Sequence, residues 1–139
     1  MTPRQIELVQ ASFTNVEPIA AEAARLFYDR LFELDPSLRS MFRGDIEEQG
    51  RKLMQIIGVA VASLRQLDRI LPAVEDMGRR HAGYGVRDEH YVIVASALLW
   101  TLEQGLGSAF TDEVRDSWLA MYDVVTSAMK QGASIAVTV

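Results

Sequence analysis

The segment MGRRHAGYGV, residues 77–86, contains His81, one of only two histidines in the chain, set among two arginines and three glycines. Such a histidine is a surface residue, core filler or a metal ligand, and its neighbours narrow the choice. The glycines imitate a phosphate-binding loop only loosely, because that loop's lysine and Ser/Thr are missing and no strand precedes it. A zinc site using His81 and His90 would need further nitrogen, sulfur or carboxylate ligands at fixed spacing. No H-E-x-x-H pattern occurs, and cysteine is absent, which also excludes thiolate nucleophiles and iron–sulfur clusters.

The helices that carry His81 and its potential partners follow from caps and periodicity. Thr2, Pro3 and Gln5 form a capping box for a helix over 3–16, with Ile6, Val9, Phe13 and Val16 on one face. Pro18 opens a second helix, apolar at Ile19, Ala23, Leu26, Phe27 and Leu31. Asp35-Pro36 starts a short turn ending near Phe42. Asp45 and Glu48 cap a helix whose Leu53, Ile56, Ile57, Ala60, Val61 and Leu64 match the helical template without a gap. A further helix starts near Pro72, with Val74, Met77 and His81 on one face, and stops at Gly83 and Gly85. His81 is thereby expected to point inward.

Asp88 caps a long helix through Leu106, ended by Gly105 and Gly107. Thr111 caps a last helix with Val114, Trp118, Met121, Val125 and Met129 inside, leaving 131–139 as an irregular tail. The expectation is one all-α domain, 1–139, of about seven helices, without repeat or linker.

A lone inward histidine in such a domain is either a satisfied core residue or the axial ligand of haem iron, which needs one neutral imidazole in a dry slot. Two polar residues bear on the choice. Gln49 stands one turn before Leu53, where periodicity calls for an apolar residue, unless it is simply a first-turn residue near solvent. Tyr28 interrupts an apolar face, and its hydroxyl needs a partner unless it is at a wet edge.

The net charge of −5 argues against a phosphate-binding surface, so nucleic acid is not an expected partner. MTPRQIELVQ lacks an apolar signal core, and VIVASALLWTL is shorter than the roughly 18 residues of a membrane span. A soluble, cytoplasmic protein without membrane insertion is expected.

Tyr28, Phe42, Gln49, Leu53, His81 and Tyr91 occur in the order and spacing of bacterial globins. LFYDRLF, DPSLRSMF, RKLMQIIG, DMGRRHAGYGV, EHYVIV and the W-x-x-x-Y of Trp118 and Tyr122 resemble the globin domain of flavohaemoglobins, and single-domain globins of the Hell's Gate type more closely. The resemblance spans nearly the whole chain. It implies a globin fold around haem b (iron protoporphyrin IX), with Gly50 and Ala24 at a close helix crossing. It makes His81 the proximal iron ligand and Phe42 the residue on the porphyrin face. Leu53, Met77, Val86, Tyr91, Val94 and Val125 become apolar walls, and Lys52, Arg51 and Arg80 become candidates for the propionates.

The same resemblance gives Tyr28 and Gln49 the role of hydrogen-bond donors to bound oxygen, with carbon monoxide and nitric oxide as further gas ligands. It implies high-affinity, reversible oxygen binding and nitric oxide dioxygenation to nitrate. Flavohaemoglobins continue into a reductase domain, so turnover here calls for an external reductase. Their last-helix glutamate, partner of a tyrosine near the proximal histidine, is replaced near Ala133, while Tyr91 keeps the tyrosine. A weaker electron push from His81 is the implied consequence. Oxygen storage or delivery, or gas sensing, are the alternative functions, in a monomer or homodimer.

Overall fold

The computed structural model describes residues 1–42, 44–83 and 85–138, with side chains up to residue 132. Six α-helices follow in order: α1 (Pro3–Val16), α2 (Ala20–Leu34), α3 (Ile46–Ala62), α4 (Leu67–Gly83), α5 (Asp88–Leu106) and α6 (Asp112–Thr138). Four 3-10 turns, Glu17–Ile19, Pro36–Met41, Leu64–Gln66 and Gly107–Ala109, join them.

Local cap chemistry explains most boundaries. The Thr2 hydroxyl accepts the Gln5 N–H at 3.1 Å while the Gln5 side chain accepts the Thr2 N–H at 2.9 Å, closing the capping box with Pro3 at the first helical position. Asp35 accepts the Ser37 N–H at the next turn, and Asp45 accepts the Glu47 N–H at 3.0 Å to open α3. Thr111 accepts the Val114 N–H at 3.2 Å to open α6.

Four boundaries depart from expectation. α4 begins at Leu67, so Pro72 lies inside it. An interior proline costs about 3 kcal/mol, and the packing of Leu67, Ile70 and Leu71 against apolar neighbours outweighs it. The cap of α5 is Arg87, one residue before Asp88, because the Arg87 N–H donates to the His90 ring. Gly105 stays helical, and Gly107, with φ +56°, is the stop. α6 runs on to Thr138 where an irregular tail was expected. Residues 131–138 contain no proline, and a helix already nucleated extends at little cost. Val139 lies outside the described residues.

The core divides into three clusters. The largest joins Val9, Phe13 and Val16 of α1 to Val61, Leu102, Trp118 and Met121. Its buried indole is satisfied: Trp118 donates to Ser12 Oγ at 2.9 Å, and Ser12 donates in turn to the Leu8 carbonyl. A second gathers Phe27, Tyr28, Leu31, Leu38 and Ala97, with Phe42, Leu53 and Val94 packed on it. The third, Val74, Ala128 and Met129, carries Met77, Tyr91 and Val125.

Helix packing follows these clusters. α2 packs on α3 and α5, and α4 packs on α6; α4 meets α3 and α5 at most marginally. α5 is long and apolar enough by length and composition to cross a membrane, yet its Ala97, Thr101 and Leu102 are buried against neighbouring helices, as in a core helix.

Candidate haem site

α3 and α4, consecutive in the chain and at most marginally in contact, therefore carry apolar surfaces belonging to different clusters. On one side stand Tyr28, Phe42, Leu53 and Val94; on the other stand Met77, Tyr91 and Val125. Seven residues singled out from the sequence are thus brought to two surfaces, as a flat apolar group inserted between them would require.

The α2–α3 crossing sets the first surface. Gly50 is buried against Ala24, and the residue before it, Gln49, is carried to the rim, where it is exposed. Gln49 thus fits the first-turn, near-solvent description, on a cleft shared with Phe42, Ile46, Glu48 and Lys52. Tyr28 is 3% exposed, edge-on to Phe27 and Phe42 with ring centroids at 5.1 and 5.4 Å. Burial raises its hydroxyl pKa to about 12, and the neighbouring Gln49 side chain offsets part of that shift. Tyr28 is consequently a neutral O–H donor at physiological pH.

The second surface is set from α4 and its C-terminal turn. His81 is half-buried, with Nδ1 2.7 Å from the Met77 carbonyl oxygen. A carbonyl can only accept, so in the neutral ring Nδ1 carries the proton and Nε2 keeps its lone pair for a metal. His90 has the opposite arrangement: its Nδ1 accepts the Arg87 N–H at 2.9 Å, which places the proton of the neutral ring on Nε2. Of the two histidines, His81 alone presents a free ring lone pair in these hydrogen-bonding states.

Val86 is anchored to the same residue. Its N–H donates to the His81 carbonyl at 3.1 Å, the Gly85 N–H donates to Ala82 at 3.1 Å, and Gly85 adopts φ +89°. This is a Schellman turn, which requires a residue without a Cβ at the left-handed position and brings the following residue back over the last helical turn. Tyr84 lies outside the described residues.

The three candidate cations, Lys52, Arg51 and Arg80, are all exposed, and Lys52 lines the cleft with Gln49. Lys52 lies 3.8 Å from Glu48, and Arg80 lies 3.4 Å from Asp76. Asp76, which also pairs with Arg79, has its carboxyl pKa lowered chiefly by the Arg79 hydrogen bond. Asp76 was not legible as a site residue, although its place three and four residues before two arginines is the signal of such pairing.

Around Tyr91 the structure adds Tyr122, whose hydroxyl donates to the Tyr91 carbonyl at 2.5 Å, and Lys130, whose Nζ lies 5.2 Å over the Tyr91 ring. Burial raises the pKa of both phenols. The Ala133 side chain lies outside the described residues.

Two separated apolar surfaces, one imidazole lone pair and one buried neutral donor suit a haem, and a globin family model matches residues 25–129. The chain belongs to the globin family. Membership implies a haem cofactor and diatomic gases as its ligands. Neuroglobin of Danio rerio is 35% identical over 121 residues, covering 77% of this chain and 76% of that protein. The flavohemoprotein of Bordetella parapertussis is 32% identical over 125 residues, which cover 88% of this chain and 31% of the flavohemoprotein. The fold also matches an engineered carbene transferase from Rhodothermus marinus, described as a putative nitric oxide dioxygenase, with a TM-score of 0.89 at 23% identity over 99% of this chain and 96% of that one. A hexacoordinated haem protein from an anhydrobiotic tardigrade matches with a TM-score of 0.86 at 17% identity, over 96% of each chain.

Proposed function

We propose that His81 holds the haem iron through Nε2 and that the protein binds oxygen there tightly, for dioxygenation of nitric oxide to nitrate with electrons from a separate reductase. The single observation that carries this reading is Tyr28, a buried phenol kept neutral, in an apolar cluster distinct from the one that packs on the histidine helix. Haem, when bound, supplies the iron at which the gases meet and change oxidation state.

The chain supplies the rest. The Tyr28 hydroxyl donates a hydrogen bond where negative charge builds on oxygen, and Gln49 at the rim supplies a second donor when it turns inward. Phe42, Leu53, Val94, Met77, Val86, Tyr91 and Val125 exclude water from that point. Lys52, Arg51 and Arg80 stand ready for the propionates. The Met77 carbonyl fixes the imidazole tautomer and orients the ring. The similarity to flavohemoprotein and the fold shared with a putative nitric oxide dioxygenase support the choice of reaction.

The test is to mix the oxygenated protein with nitric oxide and follow the haem spectrum and nitrate. Oxidation to the ferric form within the mixing time, with one nitrate for each haem, is expected. Slow or absent oxidation overturns the reaction while leaving oxygen binding standing.

A further inference from the structure

Gly78 of α4 and Gly132 of α6 are both buried, and neither contributes a side chain to the site described above. A Cβ built on Gly78 would fall onto the Met129 carbonyl, and one built on Gly132 would fall onto the Glu75 carbonyl. The pairing is reciprocal. Residues 75 and 78 of one helix meet 132 and 129 of the other, so the helices run in opposite senses, and each glycine meets a carbonyl across the crossing. Backbone lies directly on backbone, an approach that weak Cα–H···O contacts favour and any larger residue prevents.

The consequence concerns His81. α4 rests on α6 and on the short turn that precedes it, with only marginal contact to α3 and α5. Gly78 stands three residues before His81, and the imidazole is tied to the carbonyl of Met77, the residue next to Gly78. The imidazole therefore moves with that turn of α4.

We propose that Gly78 and Gly132 are positioning residues that seat α4 on the α6 backbone and thereby set how far the His81 imidazole projects into the haem slot. The proposal rests on His81 being the iron ligand. A methyl group at either position drives α4 away from α6 by roughly 1 Å, since axis separations of about 8–10 Å follow the size of the contact residues. That displacement shifts the imidazole within the haem slot and strains the iron–imidazole bond.

The test compares Gly78→Ala and Gly132→Ala with Gly83→Ala, which adds a methyl to the same helix as Gly78 with nothing within 4 Å. The readouts are the ferrous iron–imidazole stretching frequency and the rate of haem loss to an acceptor. Gly78→Ala and Gly132→Ala are expected to shift the frequency and speed haem loss about tenfold, and Gly83→Ala to leave both near wild type. A Gly78→Ala protein with wild-type frequency and haem retention overturns the proposal.

If these variants fail to fold, the absence of cysteine allows spin labels to report on the protein with both glycines in place. Arg79→Cys with Gln131→Cys spans α4 and α6; Arg79→Cys with Gln55→Cys spans α4 and α3. Haem loading is expected to change the second distance and leave the first unchanged. An α4–α6 distance that moves as far as the α3–α4 distance overturns the proposal. Absence of an iron–imidazole band in the wild type would instead sink the assignment of His81, while the labels still report the seating of α4.

Discussion

Ala24 and Gly50 meet where α2 crosses α3: a Cβ placed on Gly50 would stand 2.9 Å from the Ala24 Cβ and 3.9 Å from Tyr28 Cε2. The crossing that fixes the helix pair thus also sets the depth of the tyrosine. Gly50→Val is expected to lose about 1–3 kcal/mol of stability through overpacking and to displace Tyr28. Adding Ala24→Gly should recover part of the loss, as a double-mutant cycle in urea can measure. Simple additivity of the two changes would show that the helices do not cross at this pair.

Tyr28→Phe removes the donor and little else. A hydrogen bond to a charged group contributes about 1.5–3 kcal/mol, so oxygen release is expected to accelerate roughly tenfold to a hundredfold. Displacement of oxygen by carbon monoxide measures the rate. A release rate within about twofold of wild type would remove Tyr28 from the oxygen contact.

The same phenol makes stability depend on alkaline pH. Its pKa rises from 10.0 to about 12 on folding, so folded and unfolded forms hold the proton equally below pH 10. Above it the unfolded chain ionises first, and stability falls as the pH climbs through about 12. Burial raises Tyr122 as well, so both phenols contribute to the fall. Urea midpoints measured against pH should show a shallower decline in Tyr28→Phe; an unchanged profile would mean that its hydroxyl is not desolvated.

The two histidines predict a clean separation. His81→Gly should lose the spectrum of a histidine-ligated haem and regain it when free imidazole is added. His90→Leu should keep the spectrum and lose about 0.5–2 kcal/mol of stability with the α5 cap. Loss of ligation in His90→Leu alone would reverse the assignment.

Much of this was legible because it is local. Thr2 with Gln5, Asp35, Asp45 and Thr111 each satisfy a backbone N–H within three residues, so the start of a helix is encoded where it occurs. The apolar spacing that turned His81 inward is equally local, and the close approach of Gly50 to Ala24 followed from the globin resemblance.

Tertiary structure decided what depends on distant partners. Pro72 marks a helix start by its own chemistry and becomes interior because distant apolar residues hold Leu67, Ile70 and Leu71. Gln49 sits on the right face for an inward donor, yet the rim leaves it in solvent. Gly78 and Gly132 look like weak points of two helices until the opposing carbonyls are in place. The sequence could supply an imidazole at position 81, but the proton on its Nδ1, and so the lone pair on Nε2, is decided by the folded rotamer that brings the ring to the Met77 carbonyl. A hydrogen bond has no direction until both of its atoms have a place.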